Sequence, residues 1–325
     1  MTEQSQRGEE AGSPPDLVLC VGESMVLLVT PAGTRLARAR GVELRVAGAE
    51  STVARYLADL GQPAAWASRV GADPLGERVV ADIAAAGVDV RYVERDPAAP
   101  TGVYFKDPAP DGTRVYYYRS GSAAARIDPA FVERLAPALA GARMIHLSGV
   151  TPALSAECAA ASTALFARAR DAGALCSFDV NHRPPLWSPA EAAGPLLELA
   201  RRADLVFVGL DEAQRVWGGR LRSAADVRGL IGGGTLVVKD AEVGATLFEP
   251  DEPAVFVPAP PVEVVEPVGA GDAFAAGVLA ARLRGLPAPE QLALGHRVAA
   301  LALRSTGDHA DASALRPGQE RQGAR

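Results

Sequence analysis

The chain has 325 residues, 48% hydrophobic and 22% charged, with a formal net charge of −6. That is the composition of a soluble globular protein with ample apolar material for a large core, and the length allows two ordinary domains or one large α/β unit. The basic residues are scattered among acids, which excludes a nucleic-acid surface, because neutralising phosphates needs clustered Lys and Arg.

Residues 1–15 are polar and lack an apolar h-region, so a disordered tail is expected there. No later run approaches the length of a membrane span, and a cytoplasmic protein with no membrane partner is expected. "LVLCV" (17–21) is a continuous apolar run, the pattern of a strand covered on both faces. Residues 26–46 alternate apolar and polar positions between turn residues, and a helix is expected over 52–60. "TGVYFKDPAPDGTRVYYYRSGS" (101–122) holds two β-rich runs around an Asp111-Gly112 turn signal, which predicts a hairpin. Further on, apolar strands at 143–149, 174–180, 204–209 and 235–240 alternate with helices at 156–172 and 190–202. Gly232-Gly233-Gly234 reads as a helix-to-strand turn, and a last helix covers 290–304. The expected fold class is α/β: a doubly wound, mostly parallel sheet within residues 16–311, with a small antiparallel β-sheet lid from about 26–46 and 101–122. Residues 312–325 are expected to be a second disordered tail.

Cys20, Cys158 and Cys176 are odd in number and lack CxxC spacing, which predicts buried free thiols in a reducing compartment. His146, His182, His296 and His309 show no zinc-type pairing, so no structural metal is expected.

The stretch that carries chemistry is "VEPVGAGDAFAAG" (265–277). An extended run ends at Val265, Pro267 fixes a turn, and helical spacing runs from Asp272 to Arg284, with Gly285 as the terminating glycine. Gly269, Ala270 and Gly271 therefore sit at a helix N-terminus, where unpaired amides and the positive dipole end favour an anion. Asp272, in the first turn, faces whatever those amides hold. It is either a helix-stabilising acid or a base that takes a proton from an attacking hydroxyl while the amides stabilise a transferring phosphoryl group, and the glycines favour the base. No GxxxxGK[ST] sequence occurs, which excludes a P-loop.

"PVGAGDAFAAG" resembles the signature of the ribokinase-like (PfkB-type) carbohydrate kinases, and the similarity runs from about residue 17 to 310. "VYYYRSGSAAA", "HLSGVTPALS" and "DVNHRPPLW" resemble the 2-keto-3-deoxygluconate kinases in particular. The resemblance implies an ATP- and Mg²⁺-dependent kinase with Asp272 as catalytic base, and leaves activation by a monovalent cation possible. It implies a substrate site of Gly48, Ala49, Glu50, Thr52, Tyr104, Tyr118, Arg119, Arg183 and Asp308. It also implies a nucleotide site of Asn181, Arg183, Lys239, Gly244, Gly269 and Gly271, Lys239 otherwise being a strand-end surface lysine. Arginines suit a sugar acid, because a guanidinium binds a carboxylate through two parallel hydrogen bonds. Strand alternation places Tyr116 and Tyr118 on one face of the hairpin and Tyr117 on the other. Thr52 stands where the family has Asn, Gly209 where it has a polar residue, Ala241 where it has Gly, His182 where it has Tyr, and Glu266 where Asp is common. These departures leave open a kinase for fructose, ribose or a related sugar, or a retired sugar-binding protein. The resemblance further implies a homodimer or larger assembly formed through the lid.

Overall fold

The computed structural model describes residues 16–109, 112–305 and 309–317. Strand β1 (Leu17–Val21) turns through Gly22-Glu23-Ser24 into β2 (Met25–Val29), and β3 (Glu43–Ala47) returns antiparallel to it before α1 (Ala49–Asp59). Then come β4 (Ala64–Gly71), α2 (Pro74–Ala85), β5 (Asp89–Asp96) and the hairpin strands β6 (Val103–Ala109) and β7 (Gly112–Tyr118). Two short helices, α3 (Pro129–Arg134) and α4 (Ala136–Ala140), lead into β8 (Ala142–Ser148), α5 (Ala156–Asp171), β9 (Leu175–Asp179) and α6 (Pro189–Arg202). The chain continues through β10 (Leu205–Gly209), α7 (Leu210–Trp217), α8 (Ala224–Ile231), β11 (Thr235–Asp240), β12 (Gly244–Phe248) and β13 (Val255–Pro258). It closes with the antiparallel-edge helices α9 (Ala270–Leu283) and α10 (Ala288–Leu303).

The main sheet has the order β13-β12-β11-β10-β9-β8-β1-β4-β5. It is parallel from β11 to β5, with β12 and β13 antiparallel at one edge. From β1 the chain first builds outward through β4 and β5, then crosses back to β8 and builds the other way. The switch point thus lies between β1 and β8, and in such sheets ligands bind outside the carboxyl ends of the strands there. The apolar strand runs are covered on both faces. Leu19, Ile145, Phe178 and Val206 pack on the α5–α6 side, and Val18, Cys20, Trp66 and Phe207 pack on the α1–α9–α10 side. Helix starts follow their capping residues: Asp73 accepts from Gly76 N (2.8 Å) ahead of Pro74, and Ser188 forms a capping box with Glu191. The three cysteines are buried and free.

The small apolar residues of α9 have a packing cause. Every residue from Asp272 to Ala281 is buried, and a Cβ on Gly277 would lie 2.8 Å from the Cα of Gly295 on α10. The backbones of the two helices touch at that point.

The lid sheet has the order β3-β2-β6-β7. It is not purely antiparallel as expected, because β2 and β6 pair in parallel. Both leave the carboxyl edge of the main sheet, β2 after β1 and β6 after β5, and so run outward in the same sense. The expected tail boundary at 312 also falls too early. Ala312 is fully buried, and residues 309–317 strap onto α1 through Ala310 N to Tyr56 Oη (2.9 Å) and Ala312 N to Asp59 Oδ2 (3.1 Å). The tail 1–15 and Asp111 of the hairpin turn lie outside the described residues. Among the described residues no helix is long and apolar enough to cross a membrane.

Candidate active site

A cleft of about 460 Å³ opens between the inner face of the lid and the carboxyl edge of the main sheet. That is the size range of small-molecule sites. Its floor is the N-terminus of α9. Gly269 caps the helix in the left-handed region, φ 83°, a conformation that glycine adopts at no steric cost. The first helical bond runs from Ala273 N to Gly269 O (2.9 Å), and Ala270 N closes on Pro267 O (3.4 Å). The amides of Gly271 and Asp272 are therefore the outward donors. Gly269 and Gly271 line the cleft while Ala270 does not, because its amide is turned back on the loop.

Asp272 is the third residue of α9, 8% exposed, and lines the cleft. Burial pushes its carboxyl up to about 7, against the pull of the Arg183 guanidinium and with the neighbouring Asp179 charge adding to the rise. A carboxylate that titrates near neutral pH is suited to taking a proton. Asn181 donates to Asp272 Oδ1 (3.1 Å) from a left-handed backbone, φ 39°, a conformation for which Asn is better suited than most residues. Asn181 was expected at the nucleotide; what it touches here is the carboxyl of Asp272.

Beside Asp272 lies a buried charge cluster. Lys239, at the end of β11, donates to Asp179 Oδ2 (2.8 Å) at the end of β9. Burial works against the charge of Lys239, but Asp179 and Glu212 outweigh it and hold the ammonium above its ordinary pKa. Glu212 on α7 accepts from His182 N (2.5 Å) and Gly209 N (3.1 Å), and burial followed by the Asp179 charge pushes its carboxyl up. Asp179 Oδ1 is buried without a hydrogen-bond partner. Among the described residues no cluster of three His, Cys, Asp or Glu side chains could hold a metal. The unpartnered Oδ1 of Asp179 fits a magnesium ion of the kind held mainly by nucleotide phosphates with one or two carboxylates. Asp179 and Glu212 were missed in the sequence; an acid closing an apolar parallel strand, as in "SFDV", was the available signal. Asp240, the next residue after Lys239, does not line the cleft, as strand alternation requires.

The lid end holds most of the residues expected at the sugar. Gly48, Ala49 and Thr52 line the cleft from the start of α1, and Arg183 lines it from the loop after β9. Arg119 is buried at the foot of β7, ion-paired with Glu23, and its guanidinium lies 5.7 Å from the centre of the Tyr117 ring. Tyr117 stacks on Tyr104 at 5.4 Å, and both face the cleft. Lys106 of β6 reaches the loop before α9, meeting Glu266 Oε2 at 3.1 Å.

Four expected positions are corrected. Tyr118 is not in the cleft: it is 66% exposed on the outer face against Phe105, and register with β6 gives the inner position to Tyr117. Glu50 is a brace beneath the cleft, with no exposure. Its Oε1 accepts from Ser148 N (3.0 Å), Ser148 Oγ (2.7 Å) and Thr151 Oγ1 (3.0 Å), tying α1 to β8, and Gly22 lacks room for a Cβ because the Glu50 carboxyl is there. Gly244 lies outside the cleft, in the tight pairing of β12 with β13, where a Cβ would strike Val257 O. Ala270 is excluded as described above. Asp308 lies outside the described residues.

Comparison with known proteins agrees with this geometry. The family model described as pfkB family carbohydrate kinase matches residues 15–315. A 2-dehydro-3-deoxygalactonokinase of Haloferax volcanii is 34% identical over 88% of this chain and 91% of its own length. A 2-dehydro-3-deoxygluconokinase of Bacillus subtilis is 34% identical over 88% of this chain and 89% of its own. The crystal structure of a PfkB protein from Polaromonas sp. JS666 superposes with a TM-score of 0.82 at 36% identity, covering 92% of this chain and 98% of that one. A buried aspartate on a glycine-capped helix, a lid over the switch point of a doubly wound sheet and a match along nearly the whole chain lead to one conclusion: the protein belongs to the pfkB family of carbohydrate kinases and is an ATP-dependent sugar kinase.

Proposed function

We propose that the protein transfers the γ-phosphoryl group of ATP to the terminal hydroxyl of 2-keto-3-deoxygluconate. The observation that carries this reading is the pair of guanidinium side chains, Arg119 and Arg183, lining the same cleft as Asp272; a sugar acid brings a carboxylate that neutral sugars lack. The names of the two relatives, both kinases of 2-dehydro-3-deoxy sugar acids, support it.

Asp272 takes the proton of the attacking hydroxyl, held in place by Asn181. The amides of Gly271 and Asp272 receive the charge that develops on the transferring group, and Lys239 sits next to them on the nucleotide side. Asp179, with its unpartnered Oδ1, would hold the magnesium ion that accompanies ATP, which would supply charge neutralisation to the phosphates. Lid closure through the Lys106–Glu266 pair excludes water, which would otherwise compete with the sugar. The exposed edge strand β7, with Tyr116 and Tyr118 outward, is an association surface, and we assign a homodimer built through it.

The test is ADP release from ATP and Mg²⁺ with 2-keto-3-deoxygluconate, its galactonate epimer, gluconate, fructose and ribose in parallel. Selective turnover of the keto-deoxy acids supports the reading. Selective turnover of fructose or ribose refutes the carboxylate assignment while keeping Asp272 as base.

A further inference from the structure

We infer that Glu23 is a positioning residue for the sugar, fixing the plane of Arg119 and cancelling its charge; the inference builds on the sugar-kinase reading above but not on which sugar is used. Glu23 lies in the turn that joins the main sheet to the lid, and its side chain has no exposure. One carboxylate oxygen, Oε2, meets Arg119 Nη2, and the other accepts from Ser122 Oγ (2.6 Å). Both partners stand at the far end of the hairpin, just after β7. A single buried carboxylate thus ties the root of the lid's first strand to the end of its last one.

The surroundings leave it little freedom. A Cβ on Gly102 would come to 2.9 Å of Glu23 Oε1, and a Cβ on Gly48 would lie 2.5 Å from Glu23 O, so glycines make room for this residue on two sides. Arg119 Nη2 is ion-paired with Glu23, the Tyr117 ring lies 5.7 Å from the guanidinium, and Tyr117 is in turn stacked on Tyr104. Arginine has five donors in a rigid fork. With Nη2 tied to Glu23, the direction in which the guanidinium offers its remaining donors to the cleft is set by that contact.

Charge follows from the same contact. The Glu23–Arg119 pair is neutral, so Arg119 acts on a sugar as an aligned hydrogen-bond donor. Arg183 has no ion pair among the described residues and supplies the net positive charge. Recognition at the lid end is therefore divided: one arginine gives direction and the other gives charge.

The experiment is steady-state kinetics of Glu23→Ala, Glu23→Gln and Ser122→Ala on whichever sugar the wild-type enzyme phosphorylates, with KM for sugar, KM for ATP, kcat and Tm measured on each. Glu23→Ala is expected to raise the sugar KM about 10- to 30-fold, the effect of a lost buried charge-assisted contact, while kcat and the ATP KM stay within about 3-fold. Glu23→Gln keeps an acceptor for Arg119 and recovers most of that loss. Ser122→Ala, which frees one side of the carboxylate, gives an intermediate rise. If Glu23→Ala folds and its sugar KM stays within twofold, or if all three kinetic constants deteriorate together, the inference fails. Should Glu23→Ala not fold, a sugar KM unchanged in both Glu23→Gln and Ser122→Ala also overturns it. The substrate assignment fails separately, through the wild-type choice of sugar alone.

Discussion

The two ends of the cleft are built by different means. At the sheet end, Asp179, Asn181, Lys239 and Asp272 project from strand termini and a helix start, and are locked to one another by hydrogen bonds of 2.8 and 3.1 Å. At the lid end, Tyr117 comes from an edge strand whose seven residues are all exposed, and Arg119, just beyond that strand, is anchored by the buried Glu23. On the function proposed above, the sheet end carries out the transfer and the lid end selects the sugar brought to it. Substitutions at the sheet end are therefore expected to lower kcat or stability, and substitutions at the lid end to change KM.

The largest effect expected is at the base. Asp272→Asn should lower kcat by about 10³-fold, within the range for a positioned base, with the sugar KM changed little; a kcat within tenfold of wild type would remove Asp272 from the chemistry. Next is Lys239→Met, which leaves Asp179 and Glu212 buried without their cation. Breaking a buried pair from one side costs about 3–5 kcal/mol, and Tm in thermal unfolding reads the loss.

The pH dependence is sharper still as a test. A base that titrates at about 7 must be ionised to work, so kcat/KM should fall about tenfold per pH unit below 7. Stability runs in the opposite sense. The folded-state pKa is raised, so the contribution of Asp272 is present at low pH and is lost as pH rises through 7. Asp272→Asn should accordingly raise Tm over wild type at pH 8 and lose that advantage towards pH 4. The smallest effect separates the two faces of the lid. Tyr117→Ala should raise the sugar KM several-fold, whereas Tyr118→Ala should leave it unchanged and weaken self-association, seen by light scattering.

The sheet end was largely legible in the sequence, because its signals are local. Apolar runs such as "LVLCV" become strands covered on both sides, and Gly269 at a helix start next to Asp272 needs no distant partner to be read. Asp179 was missed because its role depends on register across β10, which brings it to Lys239 from sixty residues away. The lid resisted reading for the same reason. Alternation sorted Tyr117 from Tyr118, but which set faces inward is decided by pairing with β6 and the parallel β2–β6 contact. Glu50 carries a family motif, yet its carboxyl is turned into the fold by Ser148 and Thr151, which no local pattern announces.

The contact of Gly277 with Gly295 bears on how such a protein can diverge. With every position from Asp272 to Ala281 enclosed, and not even a methyl group admitted at Gly277, drift along α9 is closed off. The strand carrying Tyr117 is exposed along its whole length, so replacements there meet no packed core. Lineages descending from such a chain can acquire new sugars by rewriting the lid while inheriting the phosphoryl-transfer machinery unaltered.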